Sequence, residues 1–166
     1  MNRTLVASLT LTASALVSLA VHEGYRDTAY IPAKGDRPTR GFGDAQGVKP
    51  GDKTDPVRAL IRLNQQVNVF EHGMRQCIGD VPMFQHEWDA YVSLTFNIGL
   101  GKDGVVDGFC YVKRGGNSTI VQRLKAGDYA GACEGILAWD KFKGQPLRGL
   151  TLRRQDGYKK CMGQAK

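Results

Sequence analysis

An uncharged run of seventeen residues near the N-terminus, Leu5–Val21, places the strongest limit on how this chain can fold. A helix of that length is about 25 Å long, whereas the apolar core of a bilayer is about 30 Å thick. The run contains five Leu and three Val, but also five Ser or Thr, which oppose insertion into lipid. The sequence therefore predicts a marginal membrane helix that can also pack against a protein core in water.

Three interpretations of this run are open. Cleavage after Ser18-Leu19-Ala20 fits a secretory signal with Arg3 as its positive end, but it would leave Glu23 third from the new terminus, with no helix to hold it. The Ser and Thr content argues against a permanent anchor. We favour the third interpretation, in which the segment first lies in a membrane and later leaves it, so that its C-terminal end becomes the helix that carries Glu23.

The stretch His22–Gly43 combines two carboxylates with many turn residues. Lys34-Gly35-Asp36-Arg37-Pro38 predicts the tip of a β-hairpin, and Thr39 is predicted to start the returning strand. A helix end that faces a hairpin tip can place Glu23 and Asp36 on opposite sides of one cleft. Two carboxyl groups in that arrangement suit acid–base cleavage of a glycosidic bond.

This stretch resembles the phage-type lysozymes, the muramidases of glycoside hydrolase family 24. Their pattern is a Glu, an Asp or Cys after eight intervening residues, and then a Thr before a Gly-aromatic-Gly strand. Glu23-Gly24 and Thr39-Arg40-Gly41-Phe42-Gly43 stand in that order, but Pro32 occupies the position of the second acid. Because proline has no carboxylate, we assign the role of the second acid to Asp36, the nearest acid within the hairpin.

The resemblance implies a role for each of these residues. Glu23 would be the general acid, and Asp36 would position or deprotonate the attacking water, with Thr39 helping to hold it. Asp44 and Asp27 are the alternatives for the second acid. The implied substrate is the β-1,4 bond between N-acetylmuramic acid and N-acetylglucosamine in peptidoglycan. The implied outcome is inversion, and no metal or organic cofactor is required.

Two further segments carry the resemblance into the C-terminal half of the chain. They are Phe96-Asn97-Ile98-Gly99 and Gly149-Leu150-x-x-Arg153-Arg154. In the family, an amide side chain at the first of these lines the cleft and reaches the sugar. We therefore expect Asn97 and Arg153 to bind the substrate, and Arg153 or Arg154 to pair with Glu23.

The predicted fold is α+β: a mostly helical, two-lobed, lysozyme-like fold with a small N-terminal β-hairpin lobe. Apolar residues at helical spacing from Thr54-Asp55-Pro56 to about Cys77 predict a helix about 35 Å long that joins the lobes. The five-glycine stretch Leu100–Gly116 is expected to be a mobile rim. Residues 1–21 form the predicted membrane segment and residues 22–166 the catalytic domain. Four later helices are predicted: Phe84–Ile98, Ser118–Ala126, Tyr129–Trp139 and Gly149–Cys161.

The chain has four cysteines, and no metal-binding spacing joins them. An even number in an exported chain predicts two disulfides, for which three connectivities are possible. We favour Cys110–Cys133, which would tie two neighbouring elements, and Cys77–Cys161, which would clamp the C-terminus to the long helix.

The net charge of +7 is concentrated in residues 141–166, which carry eight Lys or Arg and one Asp. Such a tail is often only a solvated face, but it also favours attraction to an anionic wall polymer or membrane surface. We expect peptidoglycan as the partner, no nucleic acid, and a monomer. Like some phage endolysins, the protein would wait at the periplasmic face of the host inner membrane and then be released into the periplasm.

Two other functions compete with hydrolysis. A lytic transglycosylase needs the acid Glu23 but no acid that activates water, so Pro32 slightly favours it. A membrane-disrupting, wall-binding protein would use Leu5–Val21 and the basic tail instead.

Overall fold

The computed structural model describes residues 2–164, and the chain divides into two compact units. The hairpin unit is Ala13–Val69, and the helical unit combines the residues up to Thr12 with those from Phe70 onward. The α-helices are α1 (Ala13–Glu23), α2 (Pro56–Ile78), α3 (Gln85–Ile98), α4 (Thr119–Lys125), α5 (Tyr129–Glu134) and α6 (Arg148–Cys161). The strands form three antiparallel pairs: β1 (Thr4–Leu5) with β4 (Pro82–Met83), β2 (Arg26–Tyr30) with β3 (Thr39–Gly41), and β5 (Lys141–Phe142) with β6 (Gln145–Pro146).

The predicted long helix is confirmed. α2 has 23 residues and is therefore about 35 Å long. It begins in the hairpin unit, where Ala59, Leu63 and Val67 are buried at a spacing of four residues. It ends in the helical unit, where Met74 and Ile78 continue the buried face.

The predicted hairpin is also confirmed. β2 pairs with β3 in a register that sets Arg26 opposite Gly41 and Tyr30 opposite Thr39, with an irregularity between these pairs. The turn residues Lys34 and Gly35 lie in the connection, and Thr39 starts the returning strand as predicted.

The run Leu5–Val21 is not one helix, so that part of the prediction is wrong. Residues 4–5 form strand β1, Val6–Ser8 form one 3₁₀ turn, and α1 begins only at Ala13. The break follows from polar groups within the run, because the Thr12 backbone and hydroxyl both donate to Asp89. Among residues 2–164 the structure contains no helix with the length and apolar character needed to cross a membrane. The C-terminal end of the run does form the helix that carries Glu23, as predicted, whereas its passage through a membrane stays a prediction.

In the helical unit, α3 supplies the centre of the core and packs against α6. Trp88, Tyr91 and Val92 of this helix are buried. The Ser118 hydroxyl caps α4 by accepting from the Val121 amide at 3.2 Å. The helix predicted over Tyr129–Trp139 is divided, because α5 ends at Glu134 and a 3₁₀ helix, Gly135–Trp139, follows it.

Both predicted disulfide pairings are wrong. The bonds are Cys77–Cys110 and Cys133–Cys161, each with a Cα–Cα distance of 5.7 Å. The first pairing arises because Leu100 packs over Gly73 of α2, where an added Cβ would lie 2.4 Å from the leucine. The Cys110 amide donates to the Leu100 carbonyl at 2.8 Å, which brings Cys110 to the last turns of α2.

The glycine-rich stretch Leu100–Gly116 lacks regular helices or long strands, as expected, but it is packed into the unit. Phe109 is fully buried, and its amide donates to the Gly99 carbonyl at 3.0 Å. Gly101 and Gly108 touch so closely that a Cβ on Gly108 would lie 2.1 Å from the Gly101 nitrogen. Glycine is required there for contact between backbones, so a mobile rim is a poor description of this stretch.

Candidate functional site

Glu23 is the last residue of α1, and its position is fixed by how that helix ends. Gly24 follows it with φ of +71°, in the left-handed region that terminates helices, and the Gly24 amide donates to the Ala20 carbonyl at 3.1 Å. Leu19 and Ala20, on the preceding turn, are buried. The buried turn and the glycine therefore hold the half-buried Glu23 at a defined point in the hairpin unit.

The turn after β3 lies against the Glu23 carboxyl group. Arg40 and Asp44 exchange two backbone hydrogen bonds of 2.9 Å across the turn. A Cβ on Gly43 would lie 3.9 Å from Oε2 of Glu23, and its φ of +90° favours glycine. The Tyr25 ring packs on the Phe42 ring with centroids 5.5 Å apart. These contacts fix the Gly-Phe-Gly turn beside the acid.

Thr39 lies at the start of β3 and is buried. Its hydroxyl donates to the Arg37 carbonyl at 3.0 Å. Because that bond uses its only proton, Oγ1 of Thr39 can interact with a further group only as an acceptor.

Asp36 lies in the exposed connection between β2 and β3. Its amide donates to the Ala33 carbonyl at 3.0 Å, which closes a turn and leaves its side chain at the surface. Pro32 is in the same connection. Asp36 precedes Thr39 by three residues, and its role as second acid stays a prediction.

The two alternative acids are placed differently. Asp27 is exposed on β2. Asp44 is buried and accepts from the Gln46 amide and the Gln66 side chain, each at 3.1 Å, and from Nε of Arg62 at 3.2 Å. Both carboxylate oxygens of Asp44 therefore accept hydrogen bonds from α2 and fasten the turn to that helix, so the contacts of Asp44 stabilise the fold.

Asn97 and Arg154 are joined within the helical unit. Asn97 is exposed near the end of α3, and its Oδ1 accepts from Nη2 of the buried Arg154, whose Nε donates to the Trp139 carbonyl at 2.9 Å. Burial first, and the charge of Arg153 second, lower the pKa of Arg154 to about 10, while Asp140 opposes the shift. The bond to Oδ1 orients the Asn97 amide so that its NH₂ group can donate outward.

Arg153 is half-buried on α6, beside Arg154 in sequence. Arg153 and Glu23 belong to different units, so the predicted pairing between them stays a prediction. The same holds for substrate binding by Asn97 and Arg153.

Each unit contains a cavity, and the linings of these two cavities do not include the favoured site residues Glu23, Asp36, Thr39, Asn97 and Arg153. The cavity of the hairpin unit has a volume of about 330 Å³ and is lined by Asp44 and by the basic residues Arg40, Lys53, Arg58 and Arg62, among others. The cavity of the helical unit has a volume of about 540 Å³ and includes Trp139 and Ile120 in its lining. Among the predicted acids, the alternative Asp44 lines the first of these two cavities.

Sequence reasoning missed the Asp44 cluster and the bond from Arg154 to Asn97. A signal for the first exists, because Arg62 and Gln66 lie one helical turn apart on α2 and follow an acid in a turn. No comparable signal marks the second, since Asn97 and Arg154 are far apart in the chain.

Comparison with known proteins adds a family assignment. The family model described as Phage lysozyme matches residues 20–157. An endolysin of Acyrthosiphon pisum secondary endosymbiont phage 1 is 31% identical over 144 residues, which cover 84% of this chain and 89% of the relative. A SAR-endolysin of Haemophilus phage HP1 is 30% identical over 134 residues, which cover 76% of this chain and 67% of the relative.

Solved structures show the same fold. The active form of P1 phage endolysin Lyz matches with a TM-score of 0.77 and 20% identity, over 98% of this chain and 96% of that one. An endolysin from Escherichia coli O157:H7 phage FAHEc1 matches with a TM-score of 0.74 and 27% identity, over 95% and 96% of the two chains. The predicted fold class is therefore confirmed.

Proposed function

Because this chain belongs to the phage lysozyme family, we propose that it cleaves the β-1,4 bond between N-acetylmuramic acid and N-acetylglucosamine in peptidoglycan. Family membership makes it a glycosidase of the muramidase type, an enzyme of peptidoglycan hydrolysis and lysis. Our proposal goes further than the family does, because it specifies the bond that is cleaved, the residues that react and the location in the cell. The observation that supports it best is the position of Glu23, at the end of a helix whose last turns bury Leu19 and Ala20 and against the Gly43 turn.

Glu23 is proposed as the general acid. A glycosidic oxygen must receive a proton as the bond breaks, and a carboxyl group held at a fixed point can deliver it. The ring of Tyr25, two residues after Glu23, packs on the ring of Phe42 in the Gly-Phe-Gly turn. This contact holds the turn beside Glu23. Such a fixed position matters because misplacement of an acid by about 1 Å can lower a rate about 100-fold.

Asp36 and Thr39 are proposed to handle the water. Oγ1 of Thr39 already donates to Arg37, so it accepts a hydrogen bond from the water and thereby orients it. Asp36 accepts the second proton of the water and acts as the base. Attack from the face opposite the leaving oxygen gives inversion, for which the two carboxyl groups are roughly 6.5–9.5 Å apart.

Asn97 and Arg153 are proposed to bind the glycan. The NH₂ group of Asn97 is available as a donor because Arg154 occupies its oxygen. Arg153 supplies a positive charge for the acidic groups of peptidoglycan. No cofactor takes part in the proposed reaction, and the enzyme is proposed to act as a monomer.

The location is proposed from the uncharged run and from one relative. A relative from Haemophilus phage HP1 is a SAR-endolysin, and residues 1–21 of this chain have the marginal apolar character that such a role requires. We propose that they anchor the protein at the periplasmic face of the host inner membrane and then leave it. After release, α1 forms and carries Glu23.

Digestion of purified peptidoglycan tests this function. Glu23→Gln is expected to abolish product formation without changing the unfolding temperature, whereas Glu134→Gln, at an exposed position, keeps full activity. Mass spectrometry of the products should show muramic acid with a free reducing end. A 1,6-anhydro sugar would instead identify a lytic transglycosylase, the second candidate, which is favoured by Pro32 at the place of the second acid. Full activity of Glu23→Gln would refute the assignment of the acid.

A further inference from the structure

Residues 3–12, here called the N-terminal strap, are attached to the helical unit by many contacts. β1 pairs with β4, with Thr4 opposite Met83, and the Val6 amide donates to the Val81 carbonyl at 3.3 Å. Val6 and Leu9 are buried, with 2% and 7% of their surface exposed. The strap is therefore an integral part of the unit although it is the first part of the chain.

The strap supplies the partner of a buried carboxylate, Glu87. Arg3 donates to both oxygens of Glu87, from Nε at 3.2 Å and from Nη2 at 2.8 Å. The side chain of Glu87 is 5% exposed. The guanidinium group of Arg3 also lies over the rings of Tyr129 and Phe84, at 3.7 and 4.3 Å from their centroids. The hydrogen bond to Glu87 raises the pKa of Arg3, as expected for an ion pair.

Two more carboxylates bind the other end of the strap. Glu71, whose side chain is 3% exposed, accepts from the Leu11 amide at 2.7 Å and from the Trp88 indole at 2.8 Å. Asp89 accepts from the Thr12 amide at 3.1 Å and from its hydroxyl at 2.6 Å.

An arginine of α2 binds the middle of the strap. Arg75 donates to the carbonyl groups of Val6 and Leu9, at 3.2 and 2.5 Å. The strap site is thus a set of four charged side chains on α2 and α3 that satisfy strap groups: Glu71, Arg75, Glu87 and Asp89.

We propose that the strap site is an intramolecular binding surface that competes with lipid for the N-terminal segment. This inference rests on the proposed anchoring of residues 1–21, because the strap contains the first eight residues of the uncharged run. While the run lies in lipid, Glu87 lacks its charged partner Arg3, and a buried carboxylate without its partner is strongly unfavourable. Glu71 loses only the Leu11 amide, since it keeps the Trp88 indole and an ion pair with Arg75 at 3.6 Å. Docking restores those partners and so favours release, through residues separate from α1 and Glu23.

Purified full-length protein mixed with vesicles of phosphatidylethanolamine and phosphatidylglycerol tests the proposal. Glu87→Gln leaves the apolar run unchanged and is expected to raise the ratio of vesicle-bound to free protein by about 10-fold or more. Arg3→Lys keeps the charge near the membrane but loses the two-pronged bond and the flat contact with the rings, so it should shift the ratio in the same direction. Asp156→Asn, which removes an exposed ion pair with Lys160 in the same unit, should leave the ratio unchanged.

Trypsin cleavage after residue 3 in the absence of vesicles provides a second readout, because docking protects that bond. Cleavage should be about 10-fold faster in Glu87→Gln than in the wild type, since proteolysis follows the population of the open form. If the wild type does not bind vesicles, the anchoring proposal fails, and the cleavage rates alone decide the strap site. Equal cleavage rates in the wild type, Arg3→Lys and Glu87→Gln overturn it. If Glu87→Gln does not fold, Arg3→Lys carries the comparison.

Discussion

Replacing Asp44 should affect stability, whereas replacing Asp36 should affect activity. In Asp44→Asn the amide keeps one acceptor oxygen, but its NH₂ group meets the donors of Arg62 or Gln66. Hydrogen bonds to a charged group contribute about 1.5–3 kcal/mol each. Since the Arg62 side chain is 35% exposed, solvent screens part of that interaction, and we expect a loss of about 1–3 kcal/mol in the free energy of unfolding.

That loss corresponds to a fall of roughly 2–12 °C in the unfolding temperature of a chain of this size. Calorimetry and digestion of peptidoglycan well below the transition measure the two effects separately. Asp36→Asn, at an exposed loop position, should change the free energy of unfolding by less than about 0.5 kcal/mol and reduce the rate by about 100- to 10,000-fold. If Asp44→Asn is stable but inactive while Asp36→Asn is active, the assignment of the second acid is wrong.

Three further predictions concern other parts of the chain. Cys133→Ser with Cys161→Ser opens a link across 28 residues and should lower the free energy of unfolding by about 3–4 kcal/mol. Denaturation in urea measures this against the disulfide-bonded wild type, and equal values for the two proteins would contradict the prediction. Arg154→Lys cannot bond both the Asn97 side chain and the Trp139 carbonyl, so thermal unfolding should reveal a loss of about 1–3 kcal/mol, and an unchanged transition would contradict this role. Three exposed lysines of the basic tail can be neutralised together: Lys141, Lys143 and Lys159. This change should weaken the binding of the protein to cell walls, measured by co-sedimentation, and should make that binding less dependent on salt. An unchanged salt dependence would count against an electrostatic role.

Local patterns predicted the elements that depend on neighbouring residues. The apolar spacing of α2 predicted a helix whose position is confirmed, and the helix predicted over Ser118–Ala126 matches α4. The turn residues Lys34 and Gly35 predicted the hairpin, and with it the position of Thr39. These features are specified within a few residues, so the sequence is sufficient to locate them.

Contacts between distant segments were not predictable in the same way. The disulfide pairing depends on how Leu100 packs on Gly73, which no spacing of cysteines encodes. The run looked like a single helix because nothing within it marks the break before Ala13. The groups that hold the broken part are Glu71 and Asp89, which lie 60 and 77 residues later in the chain than the residues they bind. For the candidate site, sequence reasoning located Glu23 at a helix end, but it could not separate the buried, bonded Asp44 from the exposed Asp36.

The anomeric form of the first product tests the central claim most directly. If Glu23 protonates the leaving oxygen while Asp36 directs water to the opposite face, cleavage of the β bond must first release the α anomer of the muramic acid end. Proton NMR during the initial minutes of digestion of a soluble peptidoglycan fragment distinguishes the anomers before they equilibrate. We predict the α anomer. Initial release of the β anomer, or of a 1,6-anhydro sugar, would contradict a water held between these two acids.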